Sequence, residues 1–485
     1  MSKFTTSNQG INKTTNLAGG TAYKIADEKA KLITQVFTSF FNEKKYYGDN
    51  SVTLVETIRN VVIKDPKFIS NLARFSRSEM HLRTIPQVLV AELAYACKGE
   101  EFVKNAIADV CLRADDTYEI LGYYIATFGK PIPNSLKKGI ALALDKQNAY
   151  GLAKYNRSNR PNLADAIKLC HPTAKPEYKQ VIEGTIATPK TWETVISAIP
   201  KTETEKVKAA WEDLIETKSL GMMGLMRNLR NIINANVDNL DKALSQLTNE
   251  KAVLNSKQLP FRFYSAYQEI AMLSNPNVSK VLSALEKAFL ISIDNLPKFG
   301  GKTAVIVDNS GSMRSQLSDK SKMQYIDVAG LFGAMSGKIC DDCVVVAFGA
   351  HAKTVGLNDY SSVFDNFEKI KNCNVGMSTD LYLAFDLLTK NNINVDRIIV
   401  FSDMQAYNSS GWYSSRTAEK SFLNYKKTVN SDVVLHSVDL AGYGSSPFNT
   451  SGINLVAGFS DRIFEFMKYY EMGENKIIDM ISNYK

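Results

Sequence analysis

Asp308, Ser310 and Ser312 occupy alternate positions in VIVDNSGSM, directly behind a run of apolar residues. In an extended chain a period of two puts side chains on one side. A carboxylate with two hydroxyls is hard-oxygen chemistry that suits a divalent cation such as Mg²⁺, which keeps several waters and needs few protein charges. Taken alone, the stretch also reads as an Asx turn leading into a helix, the commoner use of such residues. Two further residues favour the metal. Thr379, in GMSTDLYLA, lies in a loop entering a helical pattern, and Asp403, in IIVFSDMQ, ends a later apolar run. All five would reach the rim outside the carboxyl ends of a parallel sheet, where ligands of such sheets collect. Phosphoryl-transfer catalysis would need a positioned base or nucleophile, and no D-x-D pair or His lies near the motif. Ligand docking is therefore the expected use, and no enzymatic activity is expected. His351 and His436 read as a surface and a core histidine.

The elements that must hold this rim are legible from Gly300-Gly301 onward. Strands are predicted at 303–308, 343–349, 396–403, 432–440 and 453–458, with helices between them at YIDVAGLFGAMSGKI, TDLYLAFDLLTKN and RTAEKSFLNYKK and a closing RIFEFMKYYEM. Continuous apolar strands alternating with helices predict a parallel sheet covered on both faces, an α/β doubly wound fold. The first 290 residues instead show apolar positions at helical spacing, as in PQVLVAELAYACK and VSKVLSALEKAFLIS. Breaks fall at Gly, Pro, Asn and Asp clusters such as KDPKF, FGKPIPN and RSNRPN. That rhythm predicts an α-helical HEAT-like repeat solenoid. Two domains are expected, 1–295 and 300–485.

Composition is that of a globular chain, 45% hydrophobic and 22% charged over 485 residues. No apolar run reaches the ~18 to 20 residues that span a bilayer, and the first residues are polar, so a cytoplasmic protein without membrane contact is expected. The cysteines at 97, 111, 170, 340, 343 and 373 form no disulfide framework, and CDDC lacks a second ligand pair for zinc. Of 58 Lys+Arg and 50 Asp+Glu, residues 1–300 hold 40 and 30, leaving 18 and 20 for the rest. The basic surplus of the first part, +10 against −2, suits a polyanionic partner.

D-x-S-x-S, then Thr379, then Asp403 resembles the metal-ion-dependent adhesion site of von Willebrand factor A domains. The helical blocks NLAGGTAYKI, LRTIPQVLVAELA, GKPIPNSLKKGIALAL, YGLAKYNR with NLADAIKLCHP, MGLMRNLRNI, LPFRFYSAY and NPNVSKVLSALEKAF resemble, in this order, the TROVE domain of the Ro ribonucleoprotein autoantigen family, bacterial and phage Ro-like proteins included, in which that domain precedes a von Willebrand A domain. The resemblance implies helical repeats closed into a toroid by the A domain. It implies a basic hole that takes single-stranded 3′ ends of misfolded noncoding RNAs, and an outer face for Y-type small RNAs. It further implies an exonuclease recruited through the RNA, an acidic group of a protein partner at the metal, and a role in RNA quality control. A monomer is expected.

Single strands are gripped by cations that track phosphates and by aromatic stacking. LAKYNRSNRP places Lys154, Arg157 and Arg160 within seven residues around Tyr155, and His171 follows the next helix. The resemblance assigns Y RNA contacts to Lys154 and His171. The family arginine four residues beyond that lysine is Ser158 here, with Arg157 and Arg160 as possible substitutes. Further RNA candidates are Lys137 with Lys138, Arg227 with Arg230, and Arg262 in LPFRFYSAY, each of which also reads as a solvated helical face. The aromatics around Arg262 read first as core. Arg83 reads equally as contact or scaffold. The rival function is a metal-dependent protein-interaction adaptor built on the A-domain site, and a metal-dependent nuclease is disfavoured by the missing base.

Overall fold

The computed structural model describes residues 12–15, 21–24, 28–38, 50–158, 160–317, 322–358, 360–404, 417–441, 447–448, 453–457 and 463–484. Near the start, β1 (Asn12–Thr15) pairs antiparallel with β2 (Thr21–Lys24). The chain then forms two compact units, one of Ile25–Pro189 with Tyr469–Lys485 and the other running through Lys190–Lys468. The second unit therefore holds both helices and the sheet.

The first unit contains α1 (Glu28–Thr38), α2 (Asn50–Lys64), α3 (Pro66–Ser78), α4 (Thr84–Ala96), α5 (Glu101–Val110), α6 (Ala114–Phe128), α7 (Asn134–Asp145), α8 (Ala149–Lys154), α9 (Leu163–Cys170) and α10 (Pro176–Glu183). The residues that break the helical pattern act as caps. Asp65 accepts a hydrogen bond from Phe68 N ahead of Pro66, and Asn162 and Asp165 close a reciprocal capping box on α9. From α2 to α7 helices pack on the next but one (α2 on α4, α3 on α5, α4 on α6, α5 on α7), which is how stacked helix pairs bury one continuous core. The closing helix, Glu474–Ser482, packs on α3. Asn71 Nδ2 donates to the Ser482 carbonyl, and the Tyr484 ring meets Phe75 edge-on at 5.4 Å.

The second unit opens with α11 (Trp192–Ser197), α12 (Thr204–Glu216), α13 (Met222–Asn234), α14 (Leu240–Leu247), α15 (Glu250–Ser256), α16 (Pro260–Ala271) and α17 (Val278–Ser292). It continues with β3 (Phe299–Asp308), α18 (Tyr325–Ile339), β4 (Cys340–Phe348), β5 (Ala352–Val355), α19 (Val363–Lys371), α20 (Tyr382–Lys390), β6 (Arg397–Ser402), α21 (Ala418–Thr428), β7 (Val434–Asp439), β8 (Ile453–Ala457) and α22 (Ile463–Glu471). The sheet order is β5-β4-β3-β6-β7-β8. The expected strands are all present, but the sheet is mixed: β5 runs antiparallel to β4. That short edge strand, AKTV, has no apolar run to announce it.

Both faces of the sheet are covered. On one, Ile306, Val346, Ile398 and Val400 pack with Phe385 and Leu388 of α20 and Phe422 of α21. On the other, Phe332 of α18 stacks on Phe401 at 4.6 Å, and a Cβ at Gly333 would lie 3.2 Å from Val307 and 2.9 Å from Ile370. α16 turns Phe261 onto Phe332 (4.8 Å) and Tyr264 onto Phe364 and Phe367. The expected core role of these aromatics is what the structure shows. His436 is buried against Asn454 (2.8 Å), and His351 is exposed.

Candidate functional site

The chain passes from β3 to β4 on one side of the sheet and returns to β6 on the other, so the strand order reverses between β3 and β6. A crevice opens at the carboxyl ends of such a pair. Asp308 is the last residue of β3, and Asp403 directly follows β6. Both are buried. Asp308 Oδ1 accepts from Ser310 N (2.9 Å), its Oδ2 accepts from Ser402 Oγ, and the Ser310 and Ser312 hydroxyls stand 3.2 Å apart. Burial, and then the charge of Asp403, raise the Asp308 pKa to about 7.

The loop carrying Thr379 is tied to the same rim. Gly311 N donates to the Met377 carbonyl (3.1 Å), Asp380 N to the Gly349 carbonyl (3.2 Å) and His351 N to the Val375 carbonyl (2.8 Å). Thr379 is buried, as is Asp380, which accepts from Ser378 Oγ at 2.7 Å. This close approach depends on two glycines: a Cβ at Gly349 would stand 2.4 Å from the Gly376 carbonyl oxygen, and Gly376 itself has φ +81°. Gly349→Ala is expected to cost about 1–3 kcal/mol by forcing these backbones apart, read as earlier thermal unfolding. Gly356→Ala, with nothing within 4 Å of its Cβ, serves as the neutral control.

The sequence did not single out Ser402 or Asp380. Ser402 is the inward position just before Asp403, and only strand adjacency reveals that its hydroxyl reaches Asp308. Among the described residues no three His, Cys, Asp or Glu side chains converge on one point. The donor set at this rim is instead carboxylate and hydroxyl.

The basic candidates fall into separate places. Lys154 ends α8, exposed, with its ammonium 5.5 Å from the Tyr150 ring and 5.8 Å from the Tyr155 ring. Arg157 is exposed and lies 3.8 Å from the buried Asp115, and Arg160 pairs with Asp165 at 3.0 Å. His171 is the exposed left-handed C-cap of α9. The chain beyond it is fastened to the α7–α8 junction by Thr173 N to Asp145 (3.0 Å) and by Lys175 Nζ to the Asp145 carbonyl. Lys137 and Lys138 diverge, Lys137 acting on Cys170 of α9 and Lys138 on Glu101 of α5.

Arg83 is scaffold. It pairs with Asp115, Asp116 and Glu119 at 2.7–3.0 Å, beside Arg77 on Asp116 and Arg113 on Asp115. In the second unit Arg227, Arg230 and Arg262 line one cleft of about 560 Å³ with Met223, Met226, Ser265, Ala266, Glu269 and Ile270.

A helical-repeat region leading into a von Willebrand A-like sheet, with D-x-S-x-S at its switch point, defines the class of protein. Residues 183–283 match the TROVE domain family. The chain is 22% identical over 357 residues to the RNA-binding protein RO60 of Caenorhabditis elegans, covering 70% of this chain and 52% of that protein. It is 33% identical over 87 residues to telomerase protein component 1 of Mus musculus, covering 18% of this chain and 3% of that protein. It thus spans about half the length of the first relative and a small part of the second. The crystal structure of the Ro protein of Deinococcus radiodurans superposes with a TM-score of 0.64 at 15% identity, covering 88% of this chain and 92% of that one. Residues 183–283 thus match the TROVE family, and the fold of the chain is that of the Ro protein structure.

Proposed function

We propose that this chain binds noncoding RNA without transforming it, holding single-stranded 3′ ends of misfolded RNAs and, on a separate surface, small structured RNAs of the Y type. In this reading residues 1–295 are the RNA-binding TROVE part and 300–485 a von Willebrand A domain, and any exonuclease is recruited through the RNA. The observation that carries it is the exposed edge at the end of α8. Lys154, Arg157 and Arg160 alternate there with Tyr150 and Tyr155, the pairing of cations and aromatic faces that grips a nucleic-acid strand. The name of one relative, RNA-binding protein RO60, supports an RNA partner.

The switch-point rim fits a divalent cation, with Mg²⁺ the natural choice for its oxygens. Asp308 is buried and takes its hydrogen bonds from N–H and hydroxyl groups, with a second carboxylate, Asp403, beside it. Two neighbouring buried carboxylates of this kind call for a positive charge between them. Asp308, Ser310, Ser312, Thr379 and Asp403 would hold the ion, and it would supply a Lewis-acid position for an acidic group of a partner.

The RNA reading is tested by fluorescence anisotropy of a structured RNA bearing a single-stranded 3′ tail, titrated in salt. Lys154→Ala/His171→Ala is expected to weaken a Y-like RNA about tenfold or more and to flatten its log–log salt slope by about 1–2, with tail binding retained. Absence of RNA binding at near-physiological salt would overturn the reading and leave the rim as the grip of a protein adaptor.

A further inference from the structure

Two helical stripes face each other across the cleft of the second unit. Met223, Met226, Arg227 and Arg230 follow i, i+3, i+4, i+7 spacing on α13, and Arg262, Ser265, Ala266 and Glu269 repeat it on α16. The opposite face of α16 is committed to the core through Phe261, Phe263 and Tyr264, so this stripe is fixed in place. Met226 and Ile270 are buried and form an apolar floor, and Arg227, Arg230 and Arg262 are exposed. Glu269 stands 3.8 Å from Arg230 and 2.9 Å from Lys322. Arg230 and Lys322 thus pair with the one carboxylate of the cleft lining, which Arg227 and Arg262 share.

We propose that this cleft is a nucleotide pocket, taking one base of a single-stranded RNA on its thioether floor and the flanking phosphates on Arg227, Arg230 and Arg262. The inference rests on the RNA reading above and names the unit recognised. A bare phosphate would leave the methionine floor unused, and about 560 Å³ is far more room than it needs. A flat polarisable base matches thioethers, which adapt to irregular apolar faces. Arginine forks grip phosphate oxygens bidentately and stack on ring faces. Glu269 supplies an acceptor for a base N–H, as carboxylates do for exocyclic amines.

The test compares a single-stranded RNA tetranucleotide with an abasic strand of the same length and charge, by calorimetry on the full chain. The tetranucleotide is expected to bind about 5- to 100-fold more tightly, the range for stacking one base. Arg227→Ala/Arg262→Ala should weaken both strands and lower the salt slope by about 0.7 for each cation lost. Met223→Ser should shrink only the advantage of the strand with bases. Equal affinity for the two strands, or undiminished binding to the double arginine variant, overturns the pocket. So does an acidic hexapeptide that competes as well as the tetranucleotide. Lys154→Ala/His171→Ala should bind the tetranucleotide normally. If it does, and the same change leaves structured RNA binding untouched, the outer-surface reading fails and the pocket stands.

Discussion

Asp116→Ala is expected to destabilise the unit holding α1 to α10 by about 3–5 kcal/mol, the cost of leaving buried charges without a partner. Asp116 is fully buried. It accepts from Arg77 Nη2 (3.0 Å), Arg83 Nε (3.0 Å), Gln87 Nε2 (2.8 Å) and Arg113 N (3.0 Å). Alanine would take the acceptor from Arg77 Nη2 and from the Arg113 backbone N–H, and Arg77 is itself buried, whereas Arg83 and Gln87 would keep Glu119. Arg160→Ala is the control. Its pair with Asp165 has the arginine side chain 78% exposed, so solvent screening leaves it worth about 1 kcal/mol or less. Chemical denaturation followed by far-UV dichroism should show a much earlier first transition for Asp116→Ala and almost none for Arg160→Ala. Equal behaviour of the two would mean that this arginine cage is not what holds α3, α4 and α6 together. The same cage sets the proposed RNA edge: Arg113 lies over the Tyr155 ring at 4.2 Å, and Tyr118 Oη donates to the Tyr155 carbonyl.

The sequence made some of this legible because local spacing carried it. The apolar run before Asp308 marked a strand end there, with Ser310 and Ser312 in the turn beyond it, and the Pro, Asn and Asp punctuation marked the helix caps at Asp65 and Asn162. What it could not carry was pairing across the chain. Arg83 read equally as contact or scaffold because Asp115, Asp116 and Glu119 lie more than thirty positions away and meet it only when α4 and α6 pack. Ser402 was one polar residue in an apolar strand until the register set it beside Asp308. The return of the closing helix onto α3, through Tyr484 with Ser78 and Glu79, joins residues some four hundred positions apart, and no periodicity announces it. Lys137 and Lys138 show the limit of local spacing from the other side. Neighbours in sequence look like one patch, but successive residues on a helix point about 100° apart.

Magnesium is expected to raise the melting temperature of the wild-type chain at pH 8 and to do nothing for Asp308→Asn. Without a cation, the Asp308 carboxyl has a pKa of about 7 in the fold against 3.8 for an ordinary aspartate. A raised carboxyl pKa means that the folded state holds the proton more tightly than the unfolded chain. The contribution of this group to metal-free stability should therefore be highest below about pH 4, fall as pH rises through the window from 4 to 7, and level off above it, where the ionised group stays buried beside Asp403. The total fall attributable to this group is on the order of a few kcal/mol. A divalent cation needs the carboxylate ionised, so it acts where the metal-free protein is weakest. At a hundredfold excess over its Kd it contributes about 2.7 kcal/mol, more at pH 8 than at pH 5. Asn at 308 has no proton to lose and no charge to offer, so the variant should lose both the pH-dependent fall and the response to magnesium. Melting curves in chelator and in millimolar magnesium, at pH 5 and pH 8, separate the two effects. A wild-type curve at pH 8 that ignores magnesium would show that the five oxygen-bearing residues form a turn and a hydrogen-bonded rim, with no metal site.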